Sequence, residues 1–382
     1  MFLKTVARLA SLLRQVVWPR PFPGIGRYLY RLVVLLLFLP LFLLLQLFNW
    51  LGLLLDEVLF RAYRCIEVRE PWFVLGVPRS GTTFMHRLLA SDPANTTFST
   101  WECLFAPSIT QRYFFRGIGA VDRRIGRPLA RSLGWVERRA LAWIEDVHPM
   151  SLDAPEEDYL TFLPLLCCFV LVVPFPEADW VWRMGTFDRD LDDAERARLM
   201  RWYRRCLQKH LYVHGEHKTL LSKNASFAGM AGSLVETFPD ARLVICERDA
   251  LHVIASQFNS IESGRRFFGY APHDDHFRGR LLDCIAFYYE NLARVHADLP
   301  DDRAVQVSLW ELSRDTRRIV ETINARFGRA LAAQTDAALA EYENRSSPIR
   351  PARVPDLERW GIDATDVGHR FSAWRHEEEV RL

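Results

Sequence analysis

A run of 24 uncharged residues, numbers 32 to 55, constrains this chain more than any other feature of its sequence. A helix of about 20 apolar residues crosses the hydrocarbon core of a bilayer, whereas a helix of a soluble protein normally keeps one polar face. A secretory signal peptide fits poorly, because its apolar region is shorter, starts nearer the N-terminus and ends at a small-residue cleavage motif. The segment is therefore predicted to insert into a membrane.

The same run leaves two membrane topologies open. Pro40 is expected to break or kink a helix, and Gln46, Asn49 and Gly52 make the second half of the run less apolar. A bent hairpin that dips into the bilayer would leave both flanks on one side. A simple span would place the N-terminus in the cytoplasm and the remainder outside, because basic residues are in excess before the run.

Positive charge is concentrated in two segments, although the net charge of the whole chain is only +2. Residues 1–31 contain six basic residues and no acidic one, and residues 112–139 contain eight arginines beside two acidic residues. Residues 1–17 largely separate their cations from their apolar side chains, which is typical of a helix on anionic lipid. The second segment is predicted to lie on the membrane or to form a solvated helix face. Membrane lipid is thus an expected partner, and nucleic acid is not.

The cysteines and the glycosylation triplets bear on the compartment. Seven cysteines without a Cys-x-x-Cys pair argue against a disulfide-built secreted domain and against a structural zinc site. Three Asn-x-Ser/Thr triplets would be usable in a secretory lumen, but a glycan at Asn224 would obstruct the neighbouring Lys223. We therefore expect the catalytic body on the cytoplasmic face, with a single-pass type II protein and a lumenal body as the alternative.

Beyond the membrane segment, residues 70–345 alternate short apolar strands with helical patterns, which predicts an α/β domain with a parallel sheet. Its first strand, from Trp72 to Val77, runs into the turn Pro78-Arg79-Ser80-Gly81-Thr82-Thr83 and then into a helix. Such a turn directs several backbone N–H groups and the positive end of the helix dipole at one point. The segment therefore predicts a site for a phosphate or a sulfate-like anion. No function is predicted for the C-terminal tail, residues 346–382.

The turn differs from the loop of nucleoside-triphosphate enzymes. It lacks the Gly-Lys-Ser/Thr ending, and no acidic strand end offers a ligand for magnesium. Arg79 can instead bind an anion with two hydrogen bonds, and Thr82 and Thr83 offer hydroxyls at the start of the helix. A second strand ends at Arg248, and Ser256 follows on the next helix, so these two side chains predict a further anion contact.

The order of these motifs resembles the sulfotransferase family, in the bacterial-type branch that is distantly similar to tyrosylprotein sulfotransferases. The residues that carry the resemblance are Pro78-Arg79-Ser80-Gly81-Thr82-Thr83, Trp101-Glu102, Pro155-Glu156-Glu157, Lys223, Phe238-Pro239-Asp240-Ala241-Arg242, Arg248, Ser256 and Leu309-Trp310-Glu311-Leu312. The similarity covers about residues 72–330. It implies a P-loop-like three-layer domain with a central parallel sheet, and 3′-phosphoadenosine 5′-phosphosulfate (PAPS) as the sulfuryl donor.

The resemblance also implies a role for each matching residue. Arg79, Ser80, Gly81, Thr82 and Thr83 match the loop that holds the 5′-phosphosulfate. Arg248 and Ser256 match the pair that holds the 3′-phosphate. Lys223 matches a lysine near the bridging oxygen of the donor, although Asn224 and Ala225 depart from the Asp or Ser and Pro that commonly follow it. Glu102 matches the acid proposed as the base in the related branch.

The chemistry of sulfuryl transfer explains these residue types. Negative charge builds on the departing phosphate oxygen. A lysine, an arginine and backbone N–H groups directed at that oxygen are therefore expected to provide most of the rate enhancement. No metal is expected, because the transferred group carries less charge than a phosphoryl group. An alcohol acceptor must also lose a proton, for which Glu102 is the candidate base. His148, Glu156 and Glu157 remain the alternatives.

The acceptor and the class of activity stay open at this point. Coupling to a membrane anchor favours a hydroxyl on a lipid or a lipid-linked molecule, and a soluble alcohol, phenol or sugar is equally compatible with the sequence. A P-loop-type phosphotransferase is the first rival, which would require a Gly-Lys-Ser/Thr loop. A catalytically inactive membrane adaptor is the second, which would be expected to lose the Arg79 loop, Lys223 or Arg248. A homo-oligomer is compatible with the sequence.

Overall fold

The computed structural model describes residues 1–141, 155–271, 274–345 and 357–374. These residues include a central sheet of five parallel strands, in the order β2-β3-β1-β4-β5. The strands are β1 (Trp72–Gly76), β2 (Asn95–Thr96), β3 (Thr219–Lys223), β4 (Arg242–Glu247) and β5 (Ala304–Ser308). Because all five strands run in one direction, their carboxyl ends meet at one edge of the sheet, where open α/β sheets bind their ligands.

Helices cover both faces of the sheet, and the side chains of β1 point alternately into the hydrophobic clusters on the two sides. Phe73 and Leu75 belong to one hydrophobic cluster, while Trp72 and Val74 belong to another. Every residue of β1 is buried, which is typical of a parallel strand covered on both faces. The fold therefore has three layers, and the predicted α/β domain with a central parallel sheet is confirmed.

Sixteen α-helices and six short 3-10 helices lie in the described part of the chain. The α-helices are α1 (Phe2–Val17), α2 (Ile25–Leu59), α3 (Thr82–Leu89), α4 (Thr100–Leu104), α5 (Ile109–Arg124), α6 (Pro128–Leu141), α7 (Asp179–Gly185), α8 (Phe187–Asp190), α9 (Asp193–His214), α10 (Ala231–Thr237), α11 (Ala250–Phe267), α12 (Asp275–Asp298), α13 (Leu309–Arg314), α14 (Thr316–Arg326), α15 (Ala333–Arg345) and α16 (Ala364–Arg370). The 3-10 helices are Arg61–Cys65, Asp158–Leu165, Phe169–Val172, Ala225–Met230, Glu358–Trp360 and Ser372–Trp374.

The predicted membrane segment lies within one continuous helix, α2, which is 35 residues long and includes Pro40. It is long and apolar enough to cross a membrane. The alternative of a hairpin inside residues 32–55 is not what the structure contains. A hairpin is formed instead by α1 and α2, which run in opposite directions. The Tyr28 hydroxyl donates to the Val17 carbonyl at one end, and Phe2 packs edge-on against Trp50 at the other.

Both halves of α2 contact the α/β body. Near its start, the Tyr30 hydroxyl donates to the Phe267 carbonyl at 2.9 Å. Near its end, Asn49 donates to the Leu104 carbonyl at 2.9 Å. The helix therefore lies along the body rather than projecting from it, and its opposite face leaves many large apolar side chains exposed.

The first basic segment is only partly available to lipid. Lys4 and Arg8 on α1 both pair with Glu195 on α9, at 3.5 and 3.0 Å. These two cations therefore join α1 to the body. In the second basic segment Arg112 is fully buried, while Phe114 and Ile118 on the same helix are exposed.

The described part of the C-terminal segment, residues 357–374, joins the hydrophobic core. Trp360 packs against Phe258 on α11, and Trp374 stacks on Tyr289 at a ring-centroid distance of 5.3 Å. The Tyr289 hydroxyl in turn donates to the Arg248 carbonyl at 2.6 Å. The C-terminal segment thus supports the end of β4.

Candidate functional site

The turn between β1 and α3 is shaped by two residues with positive φ. Gly81 has a φ of +89°, a conformation that favours glycine, and a Cβ there would require the Leu309 side chain to shift. Arg79 has a φ of +67°, which is uncommon for a residue with a side chain. Such a conformation is kept where the surroundings hold it. The turn is therefore a built feature of the sheet edge.

Three predicted donor-site residues meet around this turn. Nε of Arg79 donates a hydrogen bond to Oγ of Ser256 at 3.2 Å. Nη1 of Arg248 donates to the backbone carbonyl of Arg79 at 3.0 Å. The side chain of Arg79 is exposed and those of Arg248 and Ser256 are half-buried. The structure thus places two guanidinium groups and a hydroxyl at the carboxyl edge of the sheet, where an anion can reach them.

The other residues of the turn have local tasks. Ser80 is fully buried, and its hydroxyl donates to the Val77 carbonyl at 2.7 Å, which closes the turn. Thr82 is buried at the first position of α3, whereas Thr83 is half-buried. The N-terminus of α3 thereby faces the same edge as Arg79, which suits an anion.

Lys223 is the last residue of β3 and lies beside Val74 in the sheet. Only 3% of its surface is exposed, and its amine contacts the Glu157 carboxylate at 2.5 Å. The departure from the family pattern at Asn224 has a structural reason, because its side-chain oxygen accepts from the Ser226 N–H and so caps the following 3-10 helix. The predicted lysine is therefore at the correct sheet edge, paired with an acid.

Glu102 lies in a different environment from the turn. Its carboxylate accepts from the backbone N–H of Ser99, which caps α4, and contacts His214 at 2.6 Å and Arg112 at 3.6 Å. Burial alone would raise the pKa of Glu102, but the Arg112 guanidinium and the His214 hydrogen bond outweigh it and hold that pKa below its usual range. His210 also lies 3.9 Å away. The role of Glu102 as general base remains a prediction.

The other candidates for the general base differ in their surroundings. His148 lies outside the described residues. Glu156 accepts from the Thr100 hydroxyl at 3.0 Å, beside α4. Glu157 contacts Lys223, so among the described candidate bases it is the one bonded to a predicted donor-site residue.

A buried network next to Glu157 has no signal in the sequence. The Tyr203 hydroxyl donates to the Asp158 carboxylate at 2.5 Å and lies 3.2 Å from the Ser222 hydroxyl, one residue before Lys223. Burial raises the pKa of Asp158 to about 7, and the hydrogen bond from Tyr203 offsets only part of that rise. Tyr203 is 45 residues from Asp158 and 19 residues from Ser222 in the chain, so only the fold brings the three side chains together.

We expect Asp158→Asn to change the pH dependence of stability. The native pKa of Asp158 is about 7 against an ordinary 3.8, so the wild type should lose stability as pH rises from about 4 to about 7. The loss is on the order of 4 kcal/mol, because each pKa unit corresponds to about 1.4 kcal/mol. The asparagine variant can still accept from Tyr203 and should lack this slope. Denaturation of both proteins across that pH range tests it, and parallel profiles would contradict it.

The strand-turn-helix corner after β1, with cations at the ends of the two strands that flank β1, is the arrangement that the sequence predicts for binding an anionic donor. The model of the sulfotransferase family matches residues 71–333, and the chain belongs to that family. The predicted resemblance is confirmed. No curated protein matches the chain with significance.

Solved structures agree with the fold. Sulfotransferase STF1 from Mycobacterium tuberculosis H37Rv superposes with a TM-score of 0.64 at 21% identity, over 82% of this chain and 79% of its own. Sulfotransferase STF9 from Mycobacterium avium gives 0.66 at 21% identity, over 82% and 78%. At this identity the likeness concerns the fold, while the site must be judged from the residues of this chain.

Proposed function

We propose that this protein is a membrane-associated sulfotransferase that moves a sulfuryl group from PAPS to a hydroxyl group of a membrane lipid. The meeting of Arg79, Ser256 and Arg248 at the end of the first strand carries the donor half of the proposal. The position of α2, which lies along the body and is bonded to it near both ends, supports the membrane association.

The residues around the turn fit a donor with two anionic groups. Backbone N–H groups at the start of α3, with the Arg79 side chain, would hold the 5′ end, and Arg248 with Ser256 would hold the 3′-phosphate. When bound, PAPS supplies the sulfuryl group and a phosphate leaving group. Because Arg248 bonds the Arg79 backbone, the two subsites are held in a fixed relation. Preorganised donors of this kind need little rearrangement during the reaction.

Lys223 and Glu157 are suited to the transfer step itself. The Lys223 ammonium stabilises negative charge that develops at the sheet edge, and its burial strengthens that interaction. Glu157 keeps the ammonium in place and is 20% exposed, so its carboxylate is within reach of solvent. Of the described carboxylates considered, Glu157 is therefore better placed than the buried Glu102 to accept the hydroxyl proton.

The geometry of α2 supports insertion along the membrane surface. A helix bonded to the body near both its ends cannot cross a bilayer while the body stays outside it. Its outward face is apolar over most of its length, and Leu37 and Leu44 are 65% and 64% exposed. Exposed apolar surface of this extent marks a membrane or protein contact. The cytoplasmic face remains the predicted side.

A lipid acceptor follows from this position. An enzyme whose exposed apolar helix lies in the bilayer surface meets lipid hydroxyls at high local concentration. A soluble acceptor would not require that helix.

We expect radiolabelled donor to transfer its sulfuryl group into the organic-soluble fraction when the protein is incubated with a membrane lipid extract. Arg248→Ala should raise the KM for the donor by about 10-fold or more, since a charge-assisted contact contributes about 1.5–3 kcal/mol. Arg242→Ala is the matched control, because Arg242 begins the same strand at the opposite edge of the sheet and pairs with Glu70.

Three outcomes would count against parts of the proposal. Equal donor KM values for the two arginine variants would remove Arg248 from the donor site. Label that enters only water-soluble alcohols or sugars would overturn the lipid acceptor and leave the donor assignment intact. Binding of ATP with magnesium, and none of adenosine 3′,5′-bisphosphate, would favour the phosphotransferase.

A further inference from the structure

A large apolar cavity lies between the α1–α2 hairpin and the α/β body. Its volume is about 550 Å³, which is within the usual range for ligand pockets. Its walls come from α1, from α2 and from the segment after the 3-10 helix Asp158–Leu165. Leu12, Leu39 and Phe175 are one lining residue from each. Almost all of its lining is hydrocarbon. Apolar cavities of this kind take apolar ligands rather than water.

The cavity is elongated along α2. The lining residues of that helix run from Arg31 to Leu45, which is about 21 Å of helix. The hydrocarbon half-thickness of a bilayer is about 15 Å, so an extended lipid chain fits this length. Phe38 and Leu41 line the cavity and are also more than half exposed. The cavity therefore opens on the exposed apolar face of α2, where lipid chains are available.

One end of the cavity carries a cation. Arg31 lines the wall, donates to the Gly269 carbonyl at 3.2 Å and lies over the Tyr270 ring at 3.9 Å. Its Nε is buried and has no hydrogen-bond partner in the described part of the chain. A single guanidinium with an unused donor, at the end of a hydrocarbon channel, is complementary to an amphiphile with one chain and an anionic head group.

Two elements connect the cavity to the donor site. Helix α11 carries Ser256 near its start, and Phe268, the residue after its end, lines the cavity about 18 Å further along. The segment that begins with Glu157, the partner of Lys223, reaches the cavity wall at Leu166 and Leu171. A lipid held in the cavity is therefore bound by the same elements that form the donor site.

We propose that this cavity binds one hydrocarbon chain of the lipid acceptor, with an anionic group of that lipid at Arg31. The identity of the occupant as the acceptor rests on the proposed function, whereas the chain site itself rests on the cavity. The predicted specificity is for an anionic amphiphile over a neutral one of the same chain length.

The test uses the full-length protein in nanodiscs and a fatty acid with a photoactivatable diazirine on its chain. We expect saturable labelling of cavity-lining peptides, displaced by excess unlabelled fatty acid. Leu39→Trp fills the cavity and should weaken this labelling about 10-fold or more, because it displaces several methylene groups of the chain. Leu35→Trp, also on the cavity wall, is a second filling variant. Leu37→Trp is the matched control, since Leu37 lies on the exposed face of the same helix.

Arg31→Gln tests the head-group contact. It should weaken labelling by the fatty acid and leave labelling by the corresponding fatty alcohol unchanged. An equal effect on the two probes would remove Arg31 from the site.

Labelling that rises linearly with probe, covers both faces of α2 alike and is unchanged in both filling variants would overturn the chain site. Failure of the acceptor assignment is a separate result. Saturable cavity labelling without any sulfated lipid product would keep the chain site and overturn the occupant's identity as acceptor. Selective loss of lipid turnover in Leu39→Trp, with donor binding unchanged, would support both.

Discussion

Replacing Lys223 with Met should lower kcat for sulfuryl transfer by about 10²–10³-fold, the usual cost of removing one preorganised group that stabilises developing charge. Only 3% of the surface of Lys223 is exposed, and methionine keeps most of the volume of the lysine stem at this buried position. The change therefore removes the ammonium and little packing. Initial rates at saturating donor and acceptor measure the effect.

A matched control is available on the same strand. Lys218 directly precedes β3 at the opposite edge of the sheet, so Lys218→Met should leave kcat near that of the wild type. Removal of Lys223 also leaves Glu157, the proposed base, without its cation. If Lys223→Met turns over like the wild type, the ammonium has no part in the transfer step.

The conformation of the turn after β1 could be predicted because its cause is local. A buried strand, a residue that tolerates positive φ and the first turn of a helix follow one another directly, so the sequence order is also the spatial order. Arg248 and Ser256 could be placed by the same reasoning, since they belong to one strand end and the helix after it. The meeting of the two segments at Arg79 depends on β1 and β4 being neighbours in the sheet.

Glu102 shows a different limit. Its position three residues after Ser99 matches the Ser-x-x-Glu capping pattern, and the structure contains that capping box. This local signal was present in the sequence and pointed to a structural task. The contacts of Glu102 with Arg112 and His214 depend on the packing of α4 against α5 and α9, which no local pattern shows.

The polar residues in the apolar run, with Gly52 and with Asp56 directly after the run, share one face of α2. Gln46, Asn49, Gly52 and Asp56 follow one another at helical spacings of three or four residues, so they share one face of α2. The structure places that face against the body, where Gly52 lies too close to Ser108 to admit a side chain. Judged by composition alone, these residues make a membrane-spanning helix less apolar. Their periodicity indicates a docking face.

Asp56→Ala should destabilise the protein by about 3–5 kcal/mol, because it breaks a buried ion pair from one side. Asp56 is fully buried, and its carboxylate lies 3.0 Å from the Lys209 amine. The same carboxylate accepts from the backbone N–H groups of Ile109 and Thr110, both at 2.9 Å. A residue of α2 thus caps the start of α5 and neutralises a buried cation on α9. Denaturant unfolding in detergent measures the loss.

Two further variants make the measurement specific. Glu57→Gln removes the neighbouring carboxylate, which is 30% exposed, and should cost about 0–1 kcal/mol. The double variant Asp56→Ala with Lys209→Met should recover part of the loss, since the stranded charge is removed and only the cap is missing.

The outcome decides how the helix meets the membrane. A loss for Asp56→Ala no larger than that for Glu57→Gln would mean that α2 is held weakly and is free to leave the body and cross the bilayer. A loss of several kcal/mol means that α2 is part of the folded domain, because separating it would break the cap and the ion pair together. In that case the bilayer contacts only the outward face of the helix, and the inward face remains a wall of the apolar cavity.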